Sequence, residues 1–215
     1  MLQISAIQKN AFIYFILFIT LYILLKEITN YWFLTDDSLY EYYKDRYNQY
    51  RLDKFVENRN RFQFLNYIFP VIYHLLKFAI IGGVIAIGIY FNKTEISFAK
   101  IFTIVCIAEL SFLLPSIVKQ IWFGFWSLEF TVEEYKGFGK VSLFNLFQLS
   151  QENKLAHLFK ALNLYELIYI LLLSMGIKFQ FKFSFLKSLR LILTTYGTLL
   201  LFYFALIMFL ITLKN

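Results

Sequence analysis

The chain has 215 residues, 60% of them hydrophobic and 21% aromatic, with a formal net charge of +7 and a mean hydropathy of +0.61. Soluble domains keep their apolar share nearer about 45–50%, so an ordinary soluble domain is excluded and the length suits one membrane domain of roughly four to six spans. The positive balance does not indicate nucleic acid: Lys and Arg form no basic arm, and cationic loops beside a bilayer account for it.

In chain order, the first apolar run lies between Lys9 and Lys26. It resembles a signal-peptide core, but the sequence continues KEITNYWF with no small-x-small cleavage site. The expectation is a retained span over 10–28, with Tyr31 and Trp32 as interfacial anchors. Residues 26–65 form the long polar segment, with seven basic and seven acidic residues. Tyr40, Tyr43, Tyr47 and Tyr50 recur there at helical spacing, which predicts a helix with a tyrosine stripe lying on the membrane, on the bundle or against a partner.

The second span is expected over 66–90, with Pro70 near its start and His74 and Lys77 near its middle. Ala79/Gly83 and Gly82/Ala86 are small-xxx-small pairs that let helix backbones approach closely. The third is expected over 101–123. It carries Glu109 and Lys119 as well as Pro115, which removes a hydrogen bond to the carbonyl of Ser111 and kinks the helix. Cys106, Glu109, Ser116, Lys119 and Gln120 fall on one side at 100° per residue, and such a stripe faces protein or water rather than lipid. Trp122 and Trp126 mark the exit interface.

Residues 142–162 divide Leu and Phe from Asn145, Gln148 and Glu152, which predicts an interfacial amphipathic helix. The fourth span is expected over 158–177, with Glu166 in its first half. The fifth is the charge-free run 191–213, whose hydroxyl residues, Tyr196 among them, can bond back to the helix's own carbonyls. The fold class is therefore all-α: a polytopic bundle of about five spans plus interfacial amphipathic helices, forming a single membrane domain.

Five spans put the two termini on opposite sides. One side collects Lys9, Lys93, Lys100, Lys178, Lys182, Lys187 and Arg190 against Glu95 alone. By the positive-inside rule that side is cytoplasmic, and the expected location is a bacterial inner membrane with the N-terminus inside and the C-terminus outside.

No catalytic, cofactor or metal motif stands out. His74 and His157 lie on different segments without ligand spacing to a carboxylate or thiol, and the single Cys106 sits in an apolar run as a buried structural residue. No glycine-rich phosphate loop or intramembrane protease pattern is present in the sequence. What remains is a set of intramembrane polar candidates: His74, Lys77, Glu109, Lys119 and Glu166. A charge at a helix centre costs at least about 2.5–3.5 kcal/mol on insertion scales, so each needs a partner. Measured from the ends of the expected spans, Lys119 and Glu166 lie at matching depths of about 6 and 8 Å, and Lys77 and Glu109 at about 20 and 12 Å. These depths predict two pairs, Lys119–Glu166 and Lys77–Glu109.

Within VSLFNLFQLSQENKLAHLFKALNLYELIYILLLSMGIKF, the residues Ala161, Leu162, Asn163, Tyr165, Glu166 and Gly176 follow an ALN-x-aromatic-E-hydrophobic entry to an apolar span that closes on Gly. This resembles the bacterial members of the Yip1 family, over the C-terminal two-thirds of the chain. The polar segment 26–65 departs from that pattern. The resemblance implies a five-span, non-enzymatic membrane protein, since eukaryotic relatives act as trafficking adaptors and membrane-shaping proteins. Together these features lead to the expectation of an accessory or scaffold subunit of a membrane complex, whose partners are the lipid bilayer and other membrane subunits. The alternative is a transporter or channel component that uses the charges of spans two to four. An enzyme acting on lipid is the least favoured reading.

Overall fold

The computed structural model describes residues 2–92, 96–127, 129–138 and 163–214. The described residues are helical, without strands, and five helical segments are long and apolar enough to cross a membrane: Asn10–Phe33, Leu65–Phe91, Phe98–Trp126, Leu164–Phe181 and Phe185–Leu210. The expected amphipathic helix over 142–162 lies outside the described residues.

Helix α1 (Leu2–Ile28) runs into a π turn at Thr29–Phe33, closed by the Leu34 amide donating to the Thr29 carbonyl at 2.8 Å. The polar segment then forms two helices, α2 (Asp36–Tyr43) and α3 (Gln49–Arg61). Thr35 caps α2 through the Ser38 amide, and Asn48 caps α3 through the Arg51 amide. Each cap satisfies an amide that has no partner within the first helical turn. The single tyrosine stripe is therefore split, because Asn48 starts a new helix between Tyr43 and Tyr50. The stripe residues still work together: the Tyr40 hydroxyl donates to Asp53 at 2.8 Å, and Tyr43 contacts Tyr47 and Phe55 with ring centroids 5.7 and 5.8 Å apart.

Helix α4 (Leu65–Phe91) contains Pro70 in its first two turns, and α5 (Phe98–Glu109) follows. The third span is then interrupted. A 3₁₀ turn (Leu110–Leu113) leads into α6 (Leu114–Ile121), with Pro115 in its first positions, and a second π turn (Trp122–Trp126) closes the segment. The helix interruption expected at Pro115 takes the form of a tightened turn immediately before the ring. Four residues at about 120° each, instead of about 100°, rotate the helix face by roughly 80°. The expected polar stripe is broken as a result: Cys106 and Glu109 are buried, Ser116 is exposed, and Lys119 and Gln120 point to another neighbour.

Helix α7 (Val132–Gly137) begins with a capping box between Thr131 and Glu134. Helix α8 (Leu164–Phe181) starts at the Asn163 cap, later than the expected 158, and residues 158–162 lie outside the description. It ends on Lys182, at φ 54°, in the left-handed region. Helix α9 (Phe185–Lys214) begins before the charge-free run, so Lys187 and Arg190 lie in its first turns.

Helix α5 is the hub, packing on α1, α4 and α8, while α9 packs on α4 and α8. The core residues Phe18, Phe78, Ile85, Ile101, Val105, Leu173, Ile177 and Ile192 are essentially inaccessible. In lipid such contacts depend on close van der Waals fit rather than on expulsion of water. Two glycines show how tight that fit is. A Cβ on Gly176 would lie 2.4 Å from Ile104 Cγ2, and one on Gly88 would lie 2.4 Å from Thr195 Cγ2. Of the small-residue pairs flagged in α4, Gly82 does lie at a helix contact, against Phe98, whereas Gly83 faces open space.

Candidate functional site: a buried charge cluster within the bundle

Lys77 sits on α4 and Glu109 at the last residue of α5. The lysine Nζ donates to Glu109 Oε1 as an ion pair, in which Glu109 is 1% exposed and the lysine side chain 27%. The pairing inferred from depth is therefore present. Lys77 Nζ also lies 4.8 Å from the centre of the Phe112 ring, which the 3₁₀ turn places beside it. A ring face gives a desolvated ammonium a second favourable contact.

Around this pair the other helices contribute further polar groups. Glu166, the third residue of α8, accepts a 2.6 Å hydrogen bond from the Tyr196 hydroxyl of α9. In a common capping box a glutamate at this position would reach back to the cap amide. Here the Asn163 side chain accepts from the Glu166 amide, and the carboxylate is turned inward. Tyr169, one turn further along α8, is fully buried, with its ring 5.1 Å from both Phe112 and Tyr196. Lys77 is thus paired with Glu109, while Glu166 is held by Tyr196. Glu109 Oε2 and the Tyr169 hydroxyl interact, but neither makes a bond of ordinary hydrogen-bond geometry.

The expected Lys119–Glu166 pair is not formed. Both residues are described and no ion pair joins them; Glu166 is held by Tyr196, and Lys119 Nζ lies 3.8 Å from the centre of the Tyr135 ring on α7. The reason is local. The helix of Glu166 starts at residue 164, so Glu166 lies within the first turn, and the rotation before Pro115 swings Lys119 toward α7. His74 is packed among aromatic rings, with centroids 4.9 Å from Phe18, 5.0 Å from Tyr22, 5.2 Å from Tyr73 and 5.6 Å from Phe78. Its Nδ1 has no hydrogen-bond partner. Of the five candidates, Lys77, Glu109 and Glu166 belong to one cluster, His74 lies one turn before Lys77 in an aromatic cage, and Lys119 belongs elsewhere.

The sequence reading missed Tyr169 and Tyr196. The composition of the fifth span groups Tyr196 with hydroxyls that bond back to their own helix. Thr194, Thr195, Thr198 and Thr212 do so. Tyr196 does not, because its hydroxyl is carried too far from the backbone. The sequence carries no signal for this contact, which depends on how α8 and α9 pack.

The cluster opens sideways into a cavity of about 490 Å³ lined by Lys77, Glu166, Tyr196, Tyr73, Phe112 and Tyr203, among others. A charge-bearing recess of this kind can bind a polar group from another membrane helix or a small solute.

A second polar knot lies where α1, α6 and α7 meet. The Gln120 side chain donates to the Leu25 carbonyl at 2.6 Å and to Thr29 Oγ1 at 3.0 Å, and the Thr29 and Tyr135 hydroxyls are 3.2 Å apart. Burial holds the Tyr135 hydroxyl above its ordinary pKa. Phe33, Phe123 and Tyr135 form the centre of an aromatic cluster around the two π turns, with Tyr135 stacked on Phe33 at 5.0 Å. Helices α2 and α3 are tied to this knot. Arg59 pairs with Asp36 and donates to Asn30 and the Leu34 carbonyl, and Arg46 pairs with Glu133 at 2.9 Å. The polar segment is thereby a folded cap over one end of the bundle.

No family model, curated protein or solved structure matches this chain.

Proposed function

We propose that this chain is a non-catalytic integral membrane protein that serves as a scaffold or accessory subunit of a membrane assembly. The carrying observation is the cap: α2, α3 and α7 are locked to the span ends, yet Tyr47, Tyr50 and Phe55 remain exposed. Rigid aromatic side chains on a pre-organised surface are the usual anchors of protein interfaces, since little side-chain entropy is lost when they bind. The Yip1-like run ending at Gly176 points the same way. Lys9 and the basic residues of 178–190 favour an inner membrane with the N-terminus in the cytoplasm and the cap outside.

The test is photo-crosslinking from the exposed position 54 in the native membrane, followed by intact-mass analysis after mild extraction. A discrete membrane polypeptide at fixed stoichiometry, lost in the Tyr47→Ala/Tyr50→Ala variant while thermal unfolding is unchanged, is the expected outcome. A chain that crosslinks only to lipid or to itself would overturn the reading.

A second reading rests on the lateral cavity, where Lys77 is paired with Glu109 and Glu166 lines the same recess. A recess with a surplus acid suits a transporter or channel component that takes up a proton or an organic cation. In proteoliposomes this reading expects dissipation of a proton or cation gradient that depends on Glu166, and tight vesicles would reject it.

A further inference from the structure

A groove of about 760 Å³ runs between α4 and α9 toward the end of the bundle opposite the cap. Its walls are Val84, Ile87 and Phe91 of α4 and Leu191, Leu199 and Phe202 of α9. Lys187 and Arg190 stand at one end. Among the described residues neither makes an ion pair. The Lys187 ammonium lies 4.1 Å from the centre of the Phe183 ring, and the Arg190 side chain is exposed.

We propose that this groove holds one acyl chain of a phospholipid whose anionic headgroup is bound by Lys187 and Arg190. Three observations converge on that occupant. The first is length: from Arg190 to Phe202 the helix rises about 18 Å, close to one leaflet, half of a hydrocarbon core about 30 Å thick. The second is the polarity of the walls. Thr194, Thr195 and Thr198 line the groove, but each hydroxyl proton is donated to a carbonyl of α9 itself, at 2.7–2.9 Å. The threonines therefore offer no free donor to a polar solute. The third is charge. The basic pair lies where the apolar run begins, at headgroup level, and Lys178, Lys182, Lys187 and Arg190 have no acid among them in 178–190. Basic pockets between spans recognise anionic headgroups in this way.

The groove has a fixed floor. Gly88 lets Thr195 approach to a distance that no side chain would allow, which holds α4 and α9 in contact at that level of the groove. This lipid site does not depend on the partner surface of the cap.

The experiment is native mass spectrometry of the full chain in a detergent micelle containing equal phosphatidylglycerol and phosphatidylcholine. Phosphatidylglycerol should be retained preferentially. Lys187→Gln and Arg190→Gln should each lower its retention about fivefold, the factor expected for one basic residue at an anionic surface, and Arg190→Lys should restore most of it. Lys178→Gln, outside the groove, should leave retention unchanged. An equal loss in that variant would reassign the effect to general surface charge and overturn the proposal. Thr198→Phe, which fills the groove and keeps both cations, should also reduce retention. Should it fail to fold by thermal unfolding, Ile87→Trp on the facing wall replaces it, and full retention in the folded groove-filled variant would overturn the acyl-chain seat. Displacement by inorganic phosphate as effective as that by lipid would show a free-anion site instead and overturn the lipid assignment.

Discussion

The bundle contains two polar centres that solve the same problem differently. At the Lys77–Glu109 cluster, four helices bring ionisable side chains together, and every partner of a charge is another side chain. At the Gln120–Thr29–Tyr135 knot, near the span ends, the hydrogen bonds among the described residues are neutral. The side chains bond a backbone carbonyl and one another, and the lysine rests on an aromatic face. A charge buried as completely as that of Glu109 is offset best by an opposite charge, because a neutral dipole offsets less of its desolvation. Near the span ends, neutral hydrogen bonds between side chains and to a backbone carbonyl join the helices. The two centres therefore differ in what losing one member should do.

The largest effect is expected inside. Lys77→Met leaves Glu109 buried without its counter-charge and should cost about 3–5 kcal/mol, whereas Lys77→Met with Glu109→Met should recover most of that loss, because both charges have been removed. A double-mutant cycle on thermal unfolding in detergent reads this directly. Simple additivity would break the distinction between the two centres. The Glu166–Tyr196 bond is next: Tyr196→Phe should cost about 1.5–3 kcal/mol, the range for a hydrogen bond to a charged group. The companion cycle, Glu166→Gln with Lys119→Met, should show no coupling, since the two residues sit in different centres. Coupling there would restore the pair inferred from depth.

That failed pair shows where the sequence is readable and where it is not. Five apolar runs of membrane length, each bounded by charge or a turn, identify the five spans, because lipid imposes length and composition so strongly. Lys77 and Glu109 could be matched because unbroken α-helix, Lys77 to Phe91 and Phe98 to Glu109, joins each to the span end from which its depth is counted, and there a fixed rise per residue converts sequence position into depth. Lys119 and Glu166 could not. Glu166 depends on where the Asn163 cap starts the helix, and Lys119 on the rotation introduced before Pro115. Small local choices at helix ends reset azimuth and depth together. The two π turns had no sequence signal beyond their Trp and Phe residues, and the split of the tyrosine stripe turned on one asparagine cap.

At the knot, Tyr135→Phe removes one neutral hydrogen bond to Thr29 but keeps the stacked ring. It should cost about 0.5–1.5 kcal/mol, seen as faster amide exchange in α7 and unchanged exchange in α5. The pH dependence has a definite sign. The folded pKa of Tyr135 is raised, so its contribution is intact below the unfolded value of about 10 and is lost as pH rises through the raised folded value. Exchange in α7 that is already fast at neutral pH in the wild type would show that the knot does not hold the cap.

The smallest effects are expected on the outer face of the cap, and their order is informative. Arg46 and Glu133 are both more than half exposed, at 54% and 63%. Such pairs are worth about 0.2–1 kcal/mol and weaken with salt. Arg59 is 24% exposed and, besides pairing with Asp36, donates to Asn30 and to the Leu34 carbonyl immediately after the first π turn. Arg59→Gln should therefore destabilise the cap more than Arg46→Gln does. Its effect should persist in high salt, because hydrogen bonds to a carbonyl and an amide are not screened as an exposed ion pair is. Cap stability can be followed by amide exchange in α2 and α3 at low and high ionic strength. If both variants lose their effect in salt to the same extent, the cap is held by surface charge alone. It would then lack the buried anchoring that makes its exposed tyrosines a pre-organised surface.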